Sequence, residues 1–279
     1  MDLIKSLVIA VLQGATELFP VSSLGHAVVL PALLHWNLDQ RAPEFLPFLV
    51  MLHLGTAAAL LAYFWQDWWM IITGVLGFRH AHQVNESRRV FMLVVIATIP
   101  AVVVGFLLEK FVRGLFGAPL VAASFLIVNG FLLVFGEKLR GSERGHRAVS
   151  TLTPMDAFSI GCWQCAALIP GISRSGATIV GGLLRGIDHE GSAHFSFLIA
   201  TPIILGATVL EVPKLLHERV PEGVLTLSVI AAVVAGITAL LSTMFLMRYF
   251  RNHDTWALNP FAYYCMAAGA VSLGLLLAL

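Results

Sequence analysis

Charge is what this sequence has least of. Only 12% of its 279 residues are Asp, Glu, Lys or Arg, about half the roughly 25% of an average soluble domain. Such a chain lacks the polar groups for an all-round water-facing surface. The charges also nearly cancel, 17 basic against 16 acidic for a net +1, so nothing suggests a nucleic-acid partner. Cysteine is scarce too. Cys162 and Cys165 are spaced C-x-x-C, but no soluble βαβ context supports redox chemistry, and all three cysteines read as buried thiols. A cleavable leader is not apparent: the first apolar stretch carries Lys5 but no small-residue cleavage site.

Apolar length is what the sequence has in abundance. Hydrophobic residues make up 58% of it, and the mean hydropathy is +0.86. Long apolar runs recur at Phe45–Phe64, Val90–Leu108, Pro119–Phe135, Phe195–Leu210, Val224–Met247 and Ala257–Leu279. Each approaches the roughly 17–25 residues that cross a bilayer core of about 30 Å as helix. The expectation is an all-α polytopic membrane protein, a single integral membrane domain over residues 1–279.

Two polar clusters interrupt this pattern: ELFPVSSLGH at 17–26 and CWQCAALIPGISRSGATIVGG at 162–182. Gln13 and Gln164, Ser22 and Ser173, Gly25 and Gly176, and Leu54-Gly55 and Leu205-Gly206 all stand 151 residues apart. One fixed separation for four features predicts an internal duplication, with repeats over 1–136 and 152–279. Pro20 and Gly25 in one cluster, and Pro170, Gly171 and Gly176 in the other, break helix. Broken backbone at membrane depth survives only where protein or a wet cavity satisfies it. Residues 3–34 and 155–186 therefore read as re-entrant helix–loop–helix hairpins, each followed by three spanning helices. Three crossings are an odd number, so the second half starts on the opposite face. That is an inverted-topology repeat, its hairpin tips meeting near the midplane.

Lys and Arg set the orientation. On this plan ten lie on one face (Arg79, Arg88, Arg89, Lys138, Arg140, Arg144, Arg147, Arg185, Arg248, Arg251) and six on the other (Lys5, Arg41, Lys110, Arg113, Lys214, Arg219). The first face is assigned to the cytoplasm. DWWMIITGVLGF, residues 67–78, is too short to span and reads as an interfacial helix.

The meeting point would join Glu17, His26 and Arg174 with the hydroxyls of Ser22, Ser23, Ser173, Ser175 and Thr178. An ionisable group at membrane depth costs roughly 2.5–3.5 kcal/mol on insertion scales, which makes it a functional candidate by default. Arginine among hydroxyl and amide donors makes a phosphate cradle, and a helix N-terminus favours the same charge. Phosphoryl transfer needs neutralised oxygens, a placed nucleophile and a proton donor for the leaving group. A phosphate-handling site in lipid implies a substrate with a phosphate head and an apolar tail. Each piece also has a plain reading. Membrane serines often bond backbone carbonyls, Glu17 and Arg174 can be a structural ion pair, and His35, His53 and His217 read as structural.

LQGATELFPVSSLGH and PGISRSGATIVGG resemble the two signature motifs of the bacterial undecaprenyl-diphosphatase family, also called the bacitracin-resistance protein family; GCWQCAALIPG and FSFLIATPIILGA resemble their flanks. The resemblance implies hydrolysis of undecaprenyl diphosphate to the monophosphate carrier of cell-wall synthesis. It also implies bacitracin resistance, an inner-membrane location with the site open to the periplasm, and a divalent metal, Mg2+ or Ca2+. The motif positions fall on Gln13, Glu17, Ser22, Ser23 and His26, then on Pro170, Gly171, Ser173, Arg174, Ser175, Gly176 and Thr178. Gln13 stands where many members carry glutamate, so a two-carboxylate metal site is not assumed. Leu24 replaces a small polar residue, and His194 stands where some members carry glutamate, as a supporting group.

On that basis Glu17, Ser22, Ser23, His26 and Arg174 are the expected catalytic residues. Gln13, Gly171, Ser173, Ser175, Gly176 and Thr178 are expected to bind substrate. Arg174, Ser173 and Thr178 would hold the diphosphate, assisted by amides near Gly171 and Gly176. Ser23 is the first candidate nucleophile and Ser22 the second, with direct attack by water still open. His26 would trade protons, and Glu17 would orient His26 or coordinate the metal with substrate phosphates. The partners are a polyprenyl diphosphate lipid, the bilayer and, as a candidate, a second copy of the chain. The rival reading is a secondary transporter or lipid flippase, since inverted repeats with broken helices are also transporter architecture. A structural scaffold leaves the three ionisable groups unexplained.

Overall fold

The computed structural model describes residues 3–36, 45–115, 117–140, 147–217 and 223–279. Arg41, Arg144 and Arg219, and the side chains of Arg113, Lys214 and His217, lie outside what is described. Helices α1 (Leu3–Thr16) and α2 (Ser23–Leu33) form the first hairpin. Then come α3 (Phe45–Tyr63), α4 (Trp65–Val75), α5 (Ala81–Leu107), α6 (Glu109–Leu115) and α7 (Pro119–Arg140). The second hairpin is α8 (Pro154–Cys165) with α9 (Arg174–Leu184), followed by α10 (His189–His217), α11 (Val224–Asn252) and α12 (Asn259–Ala278).

Length separates the two kinds of helix. Among the described residues five helices (α5, α7, residues 189–209 of α10, α11 and α12) are long and apolar enough to cross a bilayer, and a sixth crossing is counted if the bent α3–α4 pair is one span. The α3 and α4 axes meet at 78°. The short α4 covers most of the segment expected at the interface, with Trp65 and Trp69 exposed. By contrast, at 1.5 Å per residue none of the hairpin helices, 11 to 14 residues long, reaches across the core. The apolar runs understated α5 and α11. Helix α5 begins at Ala81 and α11 continues to Asn252, because polar residues at a membrane surface extend a helix without needing burial.

Both hairpins restart in the same way. Ser22 and Ser173 are the N-caps of α2 and α9, accepting from the Gly25 and Gly176 amides at 3.2 and 3.1 Å. Each cap satisfies one of the orphan donors of a helix start. The two helices cover residues 23–33 and 174–184, the same 151-residue offset read from the sequence. Packing is exchanged between halves: α1 lies on α11, and α8 lies on α5. Close approach depends on missing side chains, since a Cβ at Gly14 would collide with the Ala235 carbonyl and one at Gly161 with that of Ala97. Between the hairpins a core gathers Leu18, Leu133, Ile179, Val180 and Phe197, while Phe106, Ile237, Leu241 and Leu277 are exposed on the outside.

One end of the bundle concentrates ion pairs. Arg147 and Arg185 flank Asp156 at 3.1 and 3.6 Å, and Arg251 pairs with Glu190 at 2.9 Å. Arg140 grips the Asp254 carboxylate and carbonyl. The buried His189 lies between Asp254 and Glu137, at 3.2 and 2.9 Å. These contacts draw residues 137–140, 147–156, 185–190 and 251–258 together.

Candidate active site

The first hairpin breaks at Glu17, and its carboxylate is the hub of the site. Arg174 Nη2, from the start of α9, donates to Glu17 Oε1 at 3.0 Å. Ser23 Oγ donates to Glu17 Oε2 at 2.6 Å, and Gln13 Nε2 donates to the same oxygen at 3.0 Å from one turn earlier. His53 Nε2, from α3, stands 3.3 Å from it. The side chains of Glu17, Arg174 and His53 keep 7%, 13% and 28% of their exposure, so the charges are largely withdrawn from solvent yet reachable.

The elbows touch directly. A Cβ at Gly25 would press on the Gly171 backbone. Gly171 takes φ +102° with Ala122 and Leu126 backbone against it, a conformation and clearance that only glycine provides without strain. Ser175 Oγ donates to the Phe19 carbonyl at 3.1 Å, and Ser173 Oγ lies 3.5 Å from the same carbonyl. The first elbow is strained at Ser22, whose φ is +69°.

The structure thus brings Gln13, Glu17, Ser23 and Arg174 into one hydrogen-bonded group, with Ser22, Gly171, Ser173, Ser175 and Gly176 in the elbows around it. Several groups have partners other than those the sequence suggested. The Gly176 amide and the Ser22 and Ser173 hydroxyls are engaged in capping, a demand of any helix start. Thr178 is buried and bonds the Arg174 and Ser175 carbonyls and, at 2.6 Å, Ser196 Oγ. Glu17 does not orient His26. The His26 ring sits one turn along α2, with Nδ1 at 2.6 Å from the Ser22 carbonyl and Nε2 at 2.9 Å from the Tyr264 hydroxyl of α12. A carbonyl only accepts, so Nδ1 carries the hydrogen; in the neutral ring Tyr264 then donates to Nε2. His194 stacks on Phe64 and stands 3.3 Å from Asp67, away from Glu17. Cys162 is exposed on the outer surface and Cys165 half-buried, rather than both buried; only Cys265 is buried.

Sequence reasoning placed His53 among structural histidines, yet it stands against Glu17. Its Nδ1 bonds the Leu49 carbonyl at 2.8 Å and therefore carries hydrogen. A favourable contact between Nε2 and Glu17 then requires one shared proton. The available signal was its position, one residue before the Leu54-Gly55 pair that keeps the repeat offset. Tyr264 and Asn129 gave no such signal. Among the described residues no group of three His, Cys, Asp or Glu side chains forms a metal cage. Gln13 Oε1, however, is buried without a hydrogen-bond partner.

The sequence profile described as "Bacitracin resistance protein BacA" matches residues 6–271. The chain belongs to that family. A protein of Granulibacter bethesdensis named undecaprenyl-diphosphatase is 68% identical to it, covering 98% of this chain and 96% of the relative. Proteins of the same name from Acidiphilium cryptum and Gluconobacter oxydans are 56% and 55% identical, covering 95% and 96% of this chain and 94% and 97% of theirs. Within the BacA family, then, this chain is matched along almost its whole length, both hairpins included.

Proposed function

We propose that this multi-pass membrane protein is an undecaprenyl-diphosphate phosphatase, returning the lipid carrier to cell-wall synthesis and conferring bacitracin resistance. The observation that carries the reading is the 2.6 Å hydrogen bond from Ser23 Oγ to Glu17 Oε2, beside a guanidinium that the other hairpin delivers to the same carboxylate. A hydroxyl donating to a held carboxylate is an activated nucleophile. Ser23 Oγ attacks the terminal phosphorus as its proton passes to Glu17, the bridging P–O bond breaks, and undecaprenyl phosphate leaves. Water then hydrolyses the phosphoserine. Direct attack by water activated at Glu17 gives the same products. Arg174 neutralises phosphate oxygens, releasing part of its hold on Glu17 as that group is protonated, and His26 with Tyr264 forms a hydrogen-bonded route for the leaving group's proton.

The divalent cation belongs to this proposal. Gln13 Oε1 and Glu17 are oxygen donors of the kind Mg2+ and Ca2+ take, and with only one carboxylate they fit a cation that also binds the substrate's phosphates. When bound it would neutralise charge on the diphosphate. The inverted arrangement of the repeats, a site open to the periplasm and the pairing of two copies are parts of the same reading. The matching serine caps, the exchanged packing of α1 and α8 and the basic end support the first two.

Detergent-purified protein given undecaprenyl diphosphate should release inorganic phosphate, and Arg174→Ala should abolish that release while still inserting. A lipid flippase or transporter needs binding groups but no serine–carboxylate pair. Movement of the lipid across vesicles without phosphate release would replace the phosphatase reading with that one.

A further inference from the structure

We propose that Asn129, on α7, is a positioning residue that latches both elbows in the register the reaction needs. It lies in neither motif and is fully buried. Its Nδ2 donates to the Pro20 carbonyl at 3.0 Å and to Cys265 Sγ at 3.3 Å. Its Oδ1 accepts from the Ser173 amide at 2.9 Å. One amide thus spans the two helix breaks from a third element. Its orientation is settled by its partners, because a carbonyl cannot donate and an N–H cannot accept.

Its two partners in the elbows, the Pro20 carbonyl and the Ser173 amide, are backbone groups that a broken helix leaves unpaired and that lipid cannot satisfy. Both also sit next to the chemistry. Pro20 lies midway between Glu17 and Ser23, and Ser173 immediately precedes Arg174. Losing the latch frees the elbows to slide against each other, which opens the 3.0 Å Glu17–Arg174 contact without removing either group. A misplacement of about 1 Å costs up to about 100-fold in rate. Gly130 and Gly269 seat α7 against α12, where a Cβ on either would collide with the facing backbone, so the latch is mounted on a closely packed support.

The proposal rests on the phosphatase reading, and its test separates the two. Asn129→Leu removes all three bonds, whereas Asn129→Asp keeps the acceptor for Ser173 and loses the donor to Pro20 and Cys265. In detergent, kcat for undecaprenyl diphosphate should fall about 10–100-fold in the leucine variant with KM within about threefold. Hydrogen exchange should rise in the peptide covering residues 170–178 and stay unchanged elsewhere. The aspartate variant should lose kcat while keeping the Ser173 amide protected. Normal kcat in the leucine variant overturns the latch. So does a loss that comes with raised exchange throughout the bundle, since that marks a merely structural role. Arg174→Ala is measured alongside and should be inactive. If it turns over normally the site reading falls and the latch with it, whereas an inactive Arg174→Ala beside a normal Asn129→Leu sinks the latch alone.

Discussion

At the first break the chain restarts on Ser22 with φ +69°; at the second it restarts on Ser173 with φ −80°. Both serines cap a glycine amide three residues on, and both new helices run eleven residues. The cargo differs. The first elbow carries a carboxylate, a hydroxyl that donates to it and an imidazole; the second carries the guanidinium. Backbone strain falls unequally too: a non-glycine residue in a sparsely populated conformation costs about 1–3 kcal/mol, and it stands next to Ser23, whereas the second elbow assigns its positive φ to Gly171. Two breaks in one chain can therefore share a capping hydrogen bond, which every helix start needs, while the side chains around the caps supply complementary halves of one site.

The largest expected effect tests that division of labour. Arg174→Ala and Ser23→Ala should each lower the initial rate of phosphate release by about 10³-fold or more, and the double variant should lose little beyond either alone, because the elbows act as one unit. Full additivity of the two losses would show two independent sites.

Next comes strain. Ser22→Gly removes a cap, at a few tenths of a kcal/mol, but relieves the positive φ, so stability should rise by about 0.5 kcal/mol. Ser173→Gly has no strain to relieve and loses several hydroxyl contacts, so it should cost about 1–2 kcal/mol. Thermal unfolding in one detergent reads both, and shifts of the same sign would erase the difference between the elbows.

The charged end of the bundle is a control for the buried ion pair. Burial works to raise the Asp254 carboxyl, but hydrogen bonds from Arg140 and His189 outweigh it and hold it below the ordinary carboxylate range. A depressed carboxyl stabilises the fold above its unfolded pKa and loses that contribution as pH falls through the folded one. Asp254→Asn should therefore destabilise the fold at pH 7 by under about 1 kcal/mol given its exposure, read as a lower thermal midpoint. The difference from the parent should shrink as the pH drops below the usual carboxylate range, with turnover unchanged at pH 7. A difference that persists in acid would remove the ion pair as its cause.

The smallest effect is expected at Thr178. Its hydroxyl is consumed by neighbouring carbonyls and Ser196, so Thr178→Ser should change kcat/KM by less than about threefold. A larger loss would show that the γ-methyl group, and the seating it gives this side chain, matters to the reaction.

Much of the site could be read in advance because its ends are covalently marked. Proline and glycine announce the breaks, and Ser22 and Ser173 with their glycines announce the caps. The constant 151-residue spacing says which positions correspond, which is how Glu17 and Arg174 could be expected to meet. Tyr264 and Asn129 were illegible for the opposite reason, and His53 was marked only by its place beside the Leu54-Gly55 pair. Each sits inside a long apolar helix whose lipid and protein sides share one composition, so the pattern of residues carries no face.

By itself the amino-acid order determined the solvent, the helical class and the two places where helices break, because backbone hydrogen bonding in lipid allows few alternatives. Rotation of each span about its own axis came only with the packed bundle. Helix surfaces made of small and apolar residues settle their facing by interlocking with neighbours, and that contact is what set His53 against Glu17 and turned Asn129 toward both elbows.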